Sequence, residues 1–255
     1  MQVATASVTD QGGRPRNEDS LGDWSSERFY YCVLADGAGG HGGGDTASRI
    51  VVDSVLADLR YLTVNEVPPT GERLANALAH ANENILEEQG RGGNLKDMRS
   101  TAVLLAIDCE HRTAAWAHCG DTRLYCFRGG DICVQTRDHS MVQDLVDARL
   151  VSAQDARHHP RRNVLFSALG TRDQLDIAGL DGTFDLLDRD VFLICTDGLW
   201  EYVDETLMRE TLAQSATPSA WLEAMAGHVH ATAQGNHDNF SAFAVWCDLA
   251  VPVAD

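Results

Sequence analysis

The sequence predicts an α+β fold in which antiparallel β-sheets pack face to face with helices outside. Three observations carry that prediction. Apolar runs rich in β-branched and aromatic residues fall at 3–8, 29–35, 101–108, 113–119, 124–127, 131–135, 191–196 and 241–247, and they read as strands. Two segments carry helical periodicity. After Asp45, residues Val52, Val55, Leu56 and Leu59 share one face, and after Thr70 so do Leu74, Ala77, Leu78, Ala81 and Ile85. The third observation is order: two strands, two helices, a run of strands, helices at about 205–213 and 218–233, then a last strand. That is not the βαβα alternation of a parallel sheet.

Composition supports a packed core. Of 255 residues, 44% are hydrophobic and 23% charged, close to the globular average. No repeat, linker or low-complexity tract interrupts the chain, so a single domain over 1–255 is expected. Lys plus Arg is 20 against 38 Asp plus Glu, a net charge of -18. Such a surface repels nucleic acid and anionic lipid, because binding to either relies on Lys and Arg neutralising phosphate. No apolar run reaches the roughly 18 residues of a membrane span. The polar first ten residues lack the basic-then-apolar layout of a secretory signal. Seven cysteines, an odd number with no C-x-x-C pair, read as reduced thiols in a cytoplasmic protein.

The aspartates are the most informative residues. Asp36 and Asp197 end apolar strands, Asp121 follows one across Gly120, Asp238 precedes one, and Asp19 follows the first. Any single Asp-Gly or Asp-Asn at a strand end reads as a turn. Five carboxylates at strand rims have a shared reading: if the sheets face each other, the strand ends converge. Like charges that close need neutralising, and hard divalent cations with oxygen ligands do so. Two such ions about 4 Å apart make a phosphoester-cleaving centre.

Two further features sit beside this cluster. The segment Asp36-Gly37-Ala38-Gly39-Gly40-His41-Gly42-Gly43-Gly44-Asp45 is a glycine-rich strand-to-helix turn without the Lys-Ser/Thr of a P-loop. It permits close backbone approach to an ion, with the Gly37 carbonyl as a ligand. Arg14, four residues before Glu18, is a candidate clamp for an anionic substrate, since a guanidinium fork matches phosphate bidentately.

In order along the chain stand Arg14-x-x-Asn17-Glu18-Asp19, Ala35-Asp36-Gly37-x-Gly39-Gly40-His41, Gly120-Asp121-Thr122-Arg123, Asp138-His139-Ser140, Pro160-Arg161-Arg162-Asn163-Val164-Leu165, Ala168-Leu169-Gly170, Cys195-Thr196-Asp197-Gly198-Leu199 and Asp238-Asn239-Phe240-Ser241. This series resembles the metal-dependent Ser/Thr protein phosphatases of type 2C in their compact bacterial form. Each motif is short, but the ordered succession covers nearly the whole chain.

The resemblance implies a four-layer α-β-β-α sandwich with two central antiparallel sheets. It implies hydrolysis of phosphoserine and phosphothreonine by attack of a metal-activated water, with two core Mn²⁺ or Mg²⁺ ions and a weaker third. Asp36 would bridge the core ions, with the Gly37 carbonyl on one and Asp197 and Asp238 on the other. Glu18 and Asp19 would hold the waters around them, and Asp121 the third ion. Arg14 would take the substrate phosphate, and His41 falls near the general-acid position. Residues 140–170 would form the variable flap. Expected partners are phosphorylated proteins, including Ser/Thr kinases or their substrates, acted on by a monomer.

There are two departures: Asp45 stands where Glu is usual, and Arg99 where Gly is common. The alternatives are a non-catalytic binding module, which would have lost metal carboxylates, and a phosphomonoesterase for small molecules. Ten histidines, including His158, His159, His228, His230 and His237, come without Cys partners or an HExxH pattern, which argues against zinc. Ser140 and Ser167 lack the G-x-S-x-G elbow of a serine hydrolase.

Overall fold

The computed structural model describes residues 1–39, 43–173, 175–233, 235 and 237–249. Strands β1 (Gln2–Asp10), β2 (Asp19–Ser25) and β3 (Phe29–Ala38) precede helices α1 (Gly44–Val64) and α2 (Gly71–Gly90). Strands β4 (Arg99–Asp108), β5 (Thr113–Cys119), β6 (Arg123–Arg128) and β7 (Asp131–Gln135) follow. Short helices α3 (Met141–Asp147) and α4 (Ala153–Ala156) lie in the expected flap, ahead of two-residue strands β8 (Ala178–Gly179) and β9 (Phe184–Asp185). The chain then runs through β10 (Val191–Cys195), α5 (Asp197–Trp200), α6 (Glu205–Gln214), α7 (Pro218–Thr232) and β11 (Phe240–Asp248).

Two antiparallel sheets result. One has the order β1-β11-β10-β6-β7, the other β2-β3-β4-β5-β8, with β9 also on β5. Alternation along single strands explains the four layers. In β3, Tyr30, Cys32 and Leu34 point into the inter-sheet core with Phe192, Ile194, Phe243 and Val245. Its Phe29, Tyr31, Val33 and Ala35 point the other way, against Val51, Val55, Leu74 and Leu78 of α1 and α2. In β10 and β11, Leu193, Ala242 and Ala244 likewise meet Met208, Trp221 and Met225 of α6 and α7. Both faces of the central strands are buried, which is why they read as continuous apolar runs.

Capping sets the helix starts. Thr70 accepts from the Arg73 amide and Thr217 from the Ala220 amide, each satisfying a first-turn donor. Pro218 occupies the first turn of α7, where its fixed φ costs nothing.

One element departs from the sequence expectation in a way that matters. Three strands, not two, precede α1, because Asp19 opens β2 instead of trailing β1. This edge strand puts one large apolar residue on each face, Leu21 against the inter-sheet core and Trp24 against the helix side, and carries Gly22, where a Cβ would press to 2.7 Å from Val52 and 2.9 Å from Leu56 of α1. The glycine that hides the strand from pattern reading is what lets the helix sit against it.

Candidate active site

The acidic residues do converge. Glu18, Asp36, Gly37, Asp121, Asp197 and Asp238 line one cleft of about 770 Å³ at the rim of the sandwich, with Arg14 at its edge. The four aspartates come from four places: Asp36 near the end of β3, Asp121 in the β5–β6 turn, Asp197 as first residue of α5 just after β10, and Asp238 just before β11. Asn163 and Leu165 of the flap form part of the wall.

Asp19 stands behind this wall, directly opposite Asp36 in the β2–β3 pairing. Like charges directly opposite on one sheet face are destabilising without a counter-ion. Thr196 Oγ1 donates to Asp19 Oδ2 at 3.0 Å, while Asp19 Oδ1 is buried with no hydrogen-bond partner. Among the described residues no Lys or Arg pairs with Asp19, Asp36, Asp121 or Asp197, and the ion pair that reaches the cluster is Arg14 to Asp238. The protonation energetics agree. Burial, then repulsion from Asp19, Asp197, Asp121 and Asp238, pushes Asp36 well above the usual carboxylate range. Burial, then Asp121, Glu201 and Asp238, does the same to Asp197. Asp19 and Asp121 are each raised to about 7, with burial again the leading cause. An all-oxygen set around one cleft that resists holding its own charge, with one orphaned buried oxygen, fits hard divalent cations.

The backbone around the set is built for close approach. A Cβ on Gly37 would fall 2.0 Å from the Gly44 carbonyl oxygen, and one on Gly198 2.1 Å from that of Asn239. Neither position admits a side chain. The Glu18 carbonyl accepts from the Gly37 amide at 3.1 Å and from Ser48 Oγ at 2.6 Å, fixing the two strand ends together.

Sequence reasoning names Thr196, Asn239 and Ser241 inside motifs but gives no role to the residues that hold this frame. Asn239 Oδ1 accepts from the Glu18 amide at 2.8 Å, and its Nδ2 donates to the Gln11 and Arg16 carbonyls. Thr196 N donates to the Ser241 carbonyl, and Ser241 N to Thr196 Oγ1 at 2.9 Å. Trp200 Nε1 donates to the Asp121 carbonyl at 3.0 Å. Thr196 and Asn239 lie inside motifs of the family resemblance, and Trp200 stands near Asp197, but neither signal shows what they bond.

His41 lies outside the described residues. Asp45 sits in the first turn of α1, where its charge helps to raise Glu18 after burial does so. Arg99 opens β4 opposite Ala38, and its guanidinium donates to the Met98 carbonyl at 2.9 Å. The flap is tied down by Arg157 on Glu205 and Arg162 on Glu201.

Residues 11–236 match the family model for protein phosphatase 2C. This chain belongs to the protein phosphatase 2C family. The serine/threonine phosphatase stp of Listeria monocytogenes is 31% identical over 247 residues, covering 94% of each chain. The solved structure of PppA, described as a key regulatory component of T6SS in Pseudomonas aeruginosa, is 32% identical with a TM-score of 0.75, covering 96% of this chain and 97% of that one. The catalytic domain of the serine threonine protein phosphatase PstP, solved in complex with 2 manganese ions, is 25% identical with a TM-score of 0.75, covering 96% and 97%. As a 2C phosphatase with these bacterial relatives, the chain is a protein-serine/threonine phosphatase of α+β fold.

Proposed function

We propose that the acidic cleft is where this phosphatase hydrolyses phosphoserine and phosphothreonine on proteins, through a metal-assisted attack of water on phosphorus. The observation that carries this reading is the convergence of Asp36, Asp121, Asp197 and Asp238 on one cavity with Asp19 paired behind them and Arg14 as the basic side chain ion-paired to the set. Asp36, Asp197, Asp238 and the Gly37 carbonyl would hold two ions, Mn²⁺ or Mg²⁺, and Asp121 a weaker third, with Glu18 and Asp19 orienting waters. Such ions, when bound, lower the pKa of a coordinated water and neutralise phosphoryl oxygens.

The chain's own residues do the rest. Burial around Asp36 and Asp197 keeps the cleft floor at low dielectric, where electrostatic stabilisation of the transition state is strongest. The cleft's negative charge repels a phosphate dianion until that charge is balanced. Balanced occupancy and substrate entry are therefore linked. Thr196 and Asn239 hold Asp19 and Glu18 in place. The seven cysteines are free, which fits the cytoplasm. Among the described residues no helix is long and apolar enough to cross a membrane. We read the whole chain as one catalytic unit, acting on kinases or their substrates.

Phosphate release from phosphoserine and phosphothreonine peptides should vanish with EDTA and return with Mn²⁺. Activity that survives exhaustive chelation overturns the metal-assisted reading.

Arg14 is assigned to the substrate phosphate. It is 57% exposed at the cleft edge, and its guanidinium rests on Asp238 Oδ2. A guanidinium that contacts the dianion before and during reaction contributes uniform binding, which appears mainly in KM. A charge-assisted hydrogen bond contributes roughly 1.5–3 kcal/mol. Arg14→Ala should raise KM about 10- to 100-fold with a smaller fall in kcat. Arg14→Lys should recover part, keeping the charge without the fork. If Arg14 serves only to set Asp238, the variant instead loses Mn²⁺ affinity, with KM at saturating Mn²⁺ unchanged.

A further inference from the structure

One cluster outside the cleft is left unexplained by the phosphatase chemistry. Asp10 ends β1, His230 lies in the last turn of α7, and His237 sits in the loop that leads into β11. These residues are up to 227 positions apart, yet one donor atom from each lies within 4.8 Å of the other two. His230 Nε2 faces Asp10 Oδ2 at 3.0 Å. His237 is only 7% exposed, and both of its ring nitrogens are buried without any hydrogen-bond partner. A neutral imidazole carries one N–H donor and one lone pair, so burying both unpaired is costly. Its neighbours are the rings of Phe240, Tyr202 and His230, at 5.8, 6.3 and 5.9 Å between centroids, which supply packing around it.

The similar cluster of Asp108, Glu110 and His111 does not compare. There the Arg28 guanidinium already takes both Asp108 oxygens. No Lys or Arg is seen at Asp10, His230 or His237 among the described residues.

We propose that Asp10, His230 and His237 form a second, nitrogen-bearing metal site that takes one Zn²⁺, separate from the all-oxygen cleft. Two imidazoles and a carboxylate, with a water as fourth ligand, match zinc's preferred donor set and number. The same softness argument separates the two sites: imidazole suits zinc, whereas carboxylate, carbonyl and water suit Mn²⁺ and Mg²⁺. The donors, within 4.8 Å of one another, would close to the roughly 3.4 Å edge of a zinc tetrahedron on binding. The absence of an HExxH spacing is no obstacle, because the donors come from three elements.

The site's position gives it a consequence. His237 precedes Asp238, and its carbonyl accepts from the Gly13 amide at 2.9 Å. At Gly12, with φ +59°, a Cβ would fall 2.4 Å from the Asp238 carbonyl. Zinc on His237 therefore ties β1, α7 and the segment carrying Asp238 into one unit, bonded through Gly13 to the turn that leads to Arg14.

Co²⁺ serves as the spectroscopic probe. A four-coordinate Co²⁺ with two nitrogen ligands absorbs visible light far more strongly than a six-coordinate all-oxygen one. Wild-type protein titrated with Co²⁺ should develop intense visible bands that one equivalent of Zn²⁺ bleaches. His230→Ala, a change at a half-exposed position, should lose the bands and weaken Zn²⁺ binding at least 10-fold, while Mn²⁺-dependent turnover without zinc stays unchanged. Asp197→Asn should keep the bands. Zinc at about 100-fold over its Kd should raise the wild-type Tm by about 5 °C, and this shift should disappear in His230→Ala. The proposal is overturned if the wild type shows no such bands, if His230→Ala retains them, or if Asp197→Asn removes them.

Discussion

Asp36→Asn should lower kcat by at least about 10³-fold, beyond the 10²–10³ seen for removing one preorganised electrostatic group, because this residue is proposed to touch both core ions. The same substitution should make the ion-free protein more stable at pH 7. The reason lies in the β2–β3 register, which sets Asp36 directly against Asp19. Burial and the surrounding aspartates push its carboxyl far above the range of an unfolded chain. A carboxyl whose folded pKa is raised contributes stability below its unfolded value of about 4. It loses that contribution as pH rises through the folded value. Asp19 and Asp121, both raised to about 7, extend this loss across the window from pH 4 to 7. Ion-free wild-type protein should therefore lose stability across that window from these groups.

Asparagine keeps the shape at position 36 and removes one of the interacting charges. The variant should fall less between pH 4 and 7, and its ion-free Tm at pH 7 should exceed the wild type's by about 5 °C. His139, pushed down to about 4 chiefly by burial, gives the opposite slope. It is common to both proteins and cancels in the difference. Near-wild-type turnover at saturating Mn²⁺ would remove Asp36 from the ion site. An ion-free variant less stable than wild type at pH 7 would show that Asp36 makes structural bonds instead.

What could be read from sequence follows from which faces are buried. Central strands such as β3 and β10 are covered on both faces, so their apolar runs are unbroken and the aspartate ending each run stands out. Helices α1 and α2 bury one stripe each, and their spacing is equally plain. Strand β2 is hidden because its apolar residues are few and split between its faces, Leu21 against the inter-sheet core and Trp24 against the helix side. Asp19-Ser20-Leu21-Gly22-Asp23-Trp24 offers little more than Leu21 and Trp24. Missing it meant placing Asp19 after a strand, when its meaning comes from facing Asp36 across a strand pair. Helices α3, α4 and α5 run seven, four and four residues, too short for a 3.6-residue period to register. The polar frame was invisible for another reason. Thr196 on Asp19 and Asn239 on Glu18 span separations of 177 and 221 residues, and no local pattern marks such a bond. His230 and His237 are visible in the sequence and read there against zinc, but Asp10, 220 residues before His230, is not brought to them by any local pattern.

Asp121→Ala should separate turnover from core ion binding. Asp121 enters the cleft from the β5–β6 turn, whereas Asp36, Asp197 and Asp238 come from β3, the start of α5 and the approach to β11. Its backbone is held firmly. Gly120 adopts φ +97°, a conformation that favours glycine, and a Cβ there would press to 2.4 Å from the Thr101 side chain. Trp200 Nε1 donates to the Asp121 carbonyl, and the Arg123 guanidinium lies 3.6 Å from the centre of the Trp200 ring. Arg123 in turn forks onto both oxygens of Asp138 at 2.9 and 2.7 Å. These contacts involve the carbonyl of residue 121 and its neighbours, so removing the carboxylate leaves the turn intact. A single carboxylate holding an ion through few protein ligands binds it weakly, so the loss should fall on the third ion alone. Calorimetric Mn²⁺ titration of Asp121→Ala should show the tight sites with unchanged stoichiometry and affinity, while kcat on a phosphoserine peptide falls about 10²-fold. Asp121→Asn should behave in the same way, since an amide is a poor substitute for a carboxylate on a hard cation. Near-UV circular dichroism of Trp200 should match the wild type in both variants. Loss of all tight Mn²⁺ binding would make Asp121 a core ligand, and unchanged kcat at saturating Mn²⁺ would remove it from the reaction.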